Sequence, residues 1–232
     1  MDIQLDSKVQ KLFRNTKKEA FEIIHEKIPN KIIELTSNEK MYPNYKSSQK
    51  DLHWKEEVEK YLKQTETKQK DNQKKRKKES LIEEDQQCNS EVLSAYQILK
   101  KEALDMTEML GIVKQYIQLN IPKISDGNNF GVGVQEEVLS EISRVEKNGL
   151  FLFETVTKYF LTRAKLLCKV KKHPEIEDYK RSLYELDQDQ IFNLQITYRD
   201  MAQDYAVLYD LIMKNLEKLK NPRSEAHLPT MF

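Results

Sequence analysis

Apolar residues recur at helical spacing over four stretches of the chain. The clearest stripe is Val92, Tyr96, Leu99, Ala103, Met106, Leu110, Val113 and Ile117. Its steps alternate four and three, which keeps one face turned toward a partner helix. A second stripe runs through Val138, Ile142, Val145, Gly149, Leu152, Val156, Tyr159, Ala164 and Leu167, with one irregular step near its end. A third includes Ile176, Tyr179, Leu183, Leu186, Ile191, Leu194, Tyr198, Met201, Tyr205, Leu208, Ile212, Leu216 and Leu219. The most N-terminal stripe is looser: Leu5, Val9, Leu12, Ala20, Ile24, Ile28 and Ile32. Strand signals are weak throughout, so the pattern predicts an all-α chain, an antiparallel four-helix bundle with long helices.

The breaks between stripes are legible. Pro122 and a glycine cluster end the second helix. His173-Pro174-Glu175 separates the third from the fourth, with Pro174 suited to a first helical turn. Lys169, Lys171 and Lys172 close the third helix, where positive charge suits the dipole. Asn221-Pro222 stops the fourth, and Arg223–Phe232 has no periodicity. Residues 36–87 are polar and lysine-rich, and they read as a largely disordered basic insert with a short helix over Asp51–Lys63. The expected layout is a first helix over 1–35, this insert over 36–87, helices two to four over 88–222, and a flexible tail over 223–232.

Helices three and four, at about 35 to 45 residues each, would be roughly 55 to 65 Å long. Further apolar positions lie beside their stripes, at Phe151, Phe153, Phe160, Phe192 and Tyr209. A second buried face fits oligomerisation, and a wide monomer core fits equally well.

Composition narrows the classes. The 232 residues are 38% apolar and 33% charged, with a mean hydropathy of −0.76. Such a chain buries stripes rather than a wide core. The net charge of +1 gives no global field toward nucleic acid or membrane. Cys88 and Cys168 are the only cysteines and read as reduced thiols of an intracellular protein. No apolar run has signal or membrane-spanning length, which predicts a soluble cytosolic or nuclear protein.

No catalytic constellation emerges. His25, His53, His173 and His227 stand in no metal-ligand spacing, so neither a metal nor a cofactor is expected. His25-Glu26 is followed by Lys27, Ile28 and Pro29, so the zinc-protease helix pattern fails. No serine sits in a nucleophile elbow. Asp187 and Asp189 flank Gln188, point apart on a helix, and read as a solvated face.

Three of the five glycines fall within Gly127-Asn-Asn-Phe-Gly131-Val-Gly133. No Lys-Ser/Thr follows and no strand precedes, so a phosphate loop is excluded. A plain interhelical turn is the simplest alternative. The segment holds more than such a turn needs, and Gly and Asn permit left-handed dihedrals and hence a fixed, unusual shape. Phe130 is expected to pack back on the bundle, with Asp126, Asn128 and Asn129 projecting outward.

Ile121-Pro-Lys-Ile-Ser-Asp-Gly-Asn-Asn-Phe-Gly-Val-Gly-Val-Gln-Glu-Glu137 closely resembles the activation-loop segment of the eleven-S regulator, or REG, family of proteasome activators. Lys158-Tyr-Phe-Leu-Thr-Arg-Ala-Lys165, Asp178-Tyr-Lys-Arg181, Tyr184-Glu-Leu-Asp187 and Lys214-Asn-Leu-Glu-Lys-Leu-Lys-Asn-Pro-Arg223 agree with it. The resemblance is strong over Val92–Arg223 and loose over the first helix, where Pro29-Asn-Lys-Ile-Ile-Glu-Leu35 resembles its end.

This resemblance implies a heptameric ring that caps the proteasome core particle without ATP and is not itself an enzyme. It implies that C-terminal tails anchor the ring on the core's α-subunits while activation loops, here 122–133, open the gate. The loop role then falls to Asp126, Gly127, Asn128, Asn129, Phe130 and Gly131, with Asn128 the most critical. Anchoring falls to Pro229, Thr230, Met231 and Phe232, although many relatives end in Tyr. Thr162-Arg-Ala-Lys165 resembles the gamma-like branch, which implies a channel-facing Lys165; an ordinary surface lysine is the alternative. Lys74, Lys75, Arg76, Lys77 and Lys78 form a candidate nuclear-import signal, placing the protein in the nucleus and also in the cytoplasm. They lack a groove-reading element for nucleic acid. The rival reading is a coiled-coil scaffold or adaptor that binds a helical partner.

Overall fold

The computed structural model describes residues 6–37, 54–56, 58–59 and 88–223. Among these there is no strand, and the chain is an all-α helical bundle. The first helical run comprises α1 (Ser7–Glu22), a π-helical turn (Ile23–Lys27) and α2 (Ile28–Ser37). The three long helices are α3 (Ser90–Leu119), α4 (Phe130–Lys172) and α5 (Glu177–Lys220). At 1.5 Å per residue α4 and α5 are each roughly 65 Å long. The insert's short expected helix is seen only at 54–56 and 58–59, which are helical. The rest of the insert falls mostly outside the described residues, as do the anchoring residues Pro229–Phe232 and the basic run Lys74–Lys78.

Local chemistry sets the starts and the irregularities. The Asp6 carboxylate accepts the Lys8 N–H at 2.8 Å and opens α1. Asn89 is buried, and its Oδ1 accepts the Glu91 and Val92 N–H groups at 3.2 Å to open α3. Pro29 lies inside the first run, where its ring would press on the carbonyl four residues back. The wider turn just before it absorbs the misfit: the Ile28 N–H reaches back five residues to the Ile23 carbonyl. That turn also buries the adjacent Ile23 and Ile24 together.

The chain forms two compact units, each with its own core. The first takes the N-terminal run, residues 101–151 and residues 198 onward. Its interior holds Ile23, Ile28, Met106, Leu110, Ile117, Ile142, Tyr205, Leu208 and Ile212, each at most about 1% exposed. Lys31 reaches into its edge and donates to Glu102 at 2.8 Å. Burial pulls the Lys31 pKa down, but hydrogen bonds to Glu102 and Glu34 outweigh it and leave the pKa above its ordinary value. Two positions depart from expectation here. Leu12, read as core, is 54% exposed. Thr16 is buried instead, its hydroxyl bonded to the Leu12 carbonyl, so a polar residue occupies a place the apolar pattern could not mark.

The second unit takes residues 40–100 and 152–197. Val92, Leu99, Val156, Leu183 and Leu194 form its core. The Trp54 ring lies tilted beside Tyr184, with the Arg181 guanidinium 5.2 Å from the Trp54 ring centroid. The irregular step in the α4 stripe has a cause. Ala164 is exposed, and Arg163, 4% exposed, takes the inward place. Its Nε donates to both oxygens of Asp187, at 2.9 and 3.2 Å. Tyr159 donates its hydroxyl to the same carboxylate at 2.8 Å. Asp187 therefore does not belong to a solvated face: it is 4% exposed, while Asp189 is exposed. Burial, and then the Asp187 charge, push the Tyr159 phenol well above its usual pKa.

Candidate functional site

The segment between α3 and α4 lies in the first unit. After Leu119 the backbone closes with two bonds from the Asn120 N–H, to the Tyr116 and Ile117 carbonyls, and one from the Ile121 N–H to the Gln118 carbonyl. Pro122, which has no N–H, cannot continue the helix. Gly127 then takes φ +121°, a left-handed conformation that side chains resist. Asn128 Oδ1 accepts the Phe130 N–H at 3.2 Å, and the Gly133 N–H reaches the Asn129 carbonyl at 3.0 Å, the first bond of α4.

The irregular segment is thus shorter than the expected 122–133, because Phe130 already opens α4. Gly131 and Gly133 are helical. Gly131 is there for space. A Cβ on it would lie 2.0 Å from the Pro222 carbonyl oxygen, so no side chain fits where the end of α5 meets the start of α4. Gly127 is needed for conformation instead.

Hydrogen bonds fix the same junction. The Leu219 carbonyl, unpaired within α5 because the helix ends there, accepts from Asn120 Nδ2 at 3.3 Å and Gln135 Nε2 at 3.2 Å. Gln135 Nε2 also reaches the Asn120 carbonyl at 3.4 Å. Arg223, just past Pro222, adds a fork. Its Nη1 donates to Ser125 Oγ at 2.6 Å, and its Nη2 to Asn129 Oδ1 at 3.0 Å and the Ser125 carbonyl at 3.4 Å.

The structure brings Asp126, Gly127, Asn128, Asn129, Phe130 and Gly131 together as one continuous ledge, with all but Gly131 exposed. Phe130 does not pack back on the bundle; it is 74% exposed. The inward place in that turn is filled by Gly131 against Pro222, and one helical step away Phe130 points out. Ile124 is fully exposed and Ile121 is exposed beside it. Ile121, Ile124 and Phe130 are thus three large apolar side chains exposed between the end of α3 and the first residue of α4. Ser125 and Arg223 carry no local sequence signal of their roles, and Ile124 carries only its apolar character among polar loop neighbours. Lys165 is exposed on α4 and belongs to the second unit. Among the described residues no group of three His, Cys, Asp or Glu is placed to hold a metal ion, and no helix is long and apolar enough to cross a membrane.

Comparison with known proteins agrees with this geometry. The family model described as proteasome activator PA28, C-terminal, matches residues 85–228. The human proteasome activator complex subunit 3 is 38% identical over 136 residues, 59% of this chain and 54% of that protein. Proteasome activator 28 of Dictyostelium discoideum is 38% identical over 142 residues, 61% of this chain and 63% of that one. The chain spans about half to two thirds of the length of these relatives. The 11S subunit of the Plasmodium falciparum proteasome, PA28, superposes with a TM-score of 0.72 at 29% identity, over 97% of this chain and 98% of that one. PA26 of Trypanosome brucei, solved with the yeast 20S proteasome, has a TM-score of 0.65 at 15% identity, a likeness of fold alone over 95% and 98% of the two chains.

Proposed function

Because this chain belongs to the PA28 family of proteasome activators, we propose that it is a non-catalytic activator of the proteasome core particle that works without ATP. One observation carries the proposal. The α3–α4 loop has a shape fixed by Gly127, the Asn128 cap and the Gly131–Pro222 contact, yet it presents Ile124 and Phe130 to solvent. A loop that is both defined and apolar on either side of its tip suits a rigid contact on another protein.

The mechanism follows from population shift. A ligand opens a gate only if it binds the open state better than the closed one. A preformed ledge of Asp126, Gly127, Asn128, Asn129, Phe130 and Gly131 makes contacts that exist with one gate arrangement and clash or vanish with the other. The segment Pro229, Thr230, Met231 and Phe232 supplies anchoring on the core's α-subunit ring. A single short segment binds weakly, and a ring multiplies it by avidity. The assembly is proposed to be a homoheptamer. Exposed Leu150, Phe151 and Val207 in the first unit, and Leu161 and Phe192 in the second, offer apolar surface for neighbouring copies.

Lys165, exposed on α4, is assigned to the channel wall, where by its resemblance to the gamma-like branch it biases activation toward cleavage after basic residues. The five consecutive basic residues Lys74, Lys75, Arg76, Lys77 and Lys78 are assigned to nuclear import. The test of the function is to add purified chain to latent core particle with a fluorogenic tripeptide and no ATP, after light scattering gives the native mass. A seven-subunit mass and a rise in hydrolysis are expected. A dimer or trimer without stimulation would return the chain to the scaffold class.

A further inference from the structure

We infer that Arg223 is a positioning residue that ties the end of α5 to the loop, holding the loop tip in the shape that meets the gate. The inference rests on the reading of that loop as the gate contact. It goes further in assigning a role to a residue that belongs to neither the ledge nor the anchor.

The geometry is specific. The Asp126-Gly127-Asn128 tip has two ends, Ser125 and Asn129, and one guanidinium holds both. Nη1 donates to Ser125 Oγ at 2.6 Å, while Nη2 donates to Asn129 Oδ1 at 3.0 Å. A planar fork with fixed donor directions bridges two such acceptors, whereas a lysine ammonium offers one flexible point. The fork is itself fixed from behind. Pro222 presses its carbonyl against Gly131, and the Leu219 carbonyl is held by Asn120 and Gln135. Arg223 therefore leaves the end of α5 at a determined place, and residues 224–232 continue from it.

The tip is thus held across its base by a contact from the end of α5, as well as by its own glycine and cap. Because the contacts are exposed, they contribute little to global stability and act on the population of one loop shape.

The experiment uses the full-length protein as wild type, Arg223→Ala, Arg223→Lys and Ser125→Ala. Ring mass is checked by light scattering. Core-particle binding, maximal peptide hydrolysis at saturation, and hydrogen exchange of a peptide covering residues 123–135 in the free ring are then measured. Arg223→Ala is expected to lower maximal stimulation about fivefold, to raise exchange in that peptide about fivefold, and to leave half-saturation within about twofold. Arg223→Lys should not restore either value. Ser125→Ala, which keeps the Asn129 arm, should move both readouts in the same direction by less, and it serves if Arg223→Ala loses the ring. Unchanged exchange and stimulation in Arg223→Ala would overturn the inference. So would full rescue by lysine, which would reduce the role to charge, or a loss of binding that matches the loss of stimulation. If the wild type itself gives no stimulation, the proposed function fails, and the exchange measurement still decides whether Arg223 pins the loop.

Discussion

Two polar clusters in this chain are built on opposite principles. In the second unit, Arg163, Asp187 and Tyr159 meet in the interior, and the Arg163 and Asp187 side chains are only 5% and 6% exposed. In the first unit, Arg223, Ser125 and Asn129 meet in the open at the base of a loop. Buried charges are costly to leave without partners, so losing one charged member of the interior cluster between α4 and α5 leaves an opposing charge uncompensated. Exposed bonds trade with water at little net gain, so the loop cluster selects a shape without adding much stability. The comparison teaches where function can be altered independently of folding. Changes at the interior cluster should appear first in stability. Changes at the loop should appear first in activity.

The largest expected effect breaks the interior cluster. Asp187→Ala removes the buried carboxylate that both Arg163 and Tyr159 use and should cost about 3–5 kcal/mol in urea denaturation, while the double change to leucines at 163 and 187 should recover most of it. A loss below about 1 kcal/mol for the single variant would mean that water reaches the pair. Next comes Gly131→Ala. Its new Cβ meets the Pro222 carbonyl, so the backbone must shift, at about 1–3 kcal/mol. Stimulation should fall by more than that loss of stability explains. Gly127→Ala is milder, about 1–2 kcal/mol, since it opposes only a positive φ in open space. Wild-type stimulation from this variant would show that the tip's conformation does not matter.

The smallest effect is on pH dependence, and it sharpens the contrast. Burial and the Asp187 charge raise the folded-state pKa of Tyr159, and burial and nearby carboxylates raise that of Tyr205. Both phenols therefore keep their protons after the unfolded chain has begun to lose them. Above about pH 10 the unfolded state binds fewer protons than the folded one, so stability falls as pH rises. Denaturation midpoints should decline there. Tyr159→Phe with its acceptor also removed, as Asp187→Leu and Arg163→Leu, should flatten part of that decline.

Much of the fold could be read from the stripes. Val92 to Ile117 on α3 and Leu183 to Leu219 on α5 mark the buried faces closely, because an apolar residue at helical spacing has few other uses. The pattern failed where polar residues entered the core. Periodicity of apolar type cannot mark Arg163, Asp187 or Thr16, since their burial depends on partners distant in sequence. The apolar stripe puts Ala164 inward, whereas the buried residue is its charged neighbour Arg163. At the loop, glycine and asparagine content revealed a special segment but not its limits. Gly131 looked like a turn residue and proved to be a helical one, spaced for Pro222 some ninety residues away. An aromatic ring in a turn is expected to pack back on the bundle, and Phe130 is exposed instead because Gly131 holds the inward place. The Arg223 fork joins residues 94 and 98 positions apart, and no local pattern encodes that.

The central claim is that the α3–α4 loop opens the gate while other parts of the chain hold the ring on the core. Asn128→Tyr tests it most directly, measured for core-particle binding and ATP-free peptide hydrolysis on rings of confirmed mass. Binding close to wild type and stimulation reduced to background are expected. Stimulation that persists at saturating ring concentration would contradict it, and would remove this loop from the opening step.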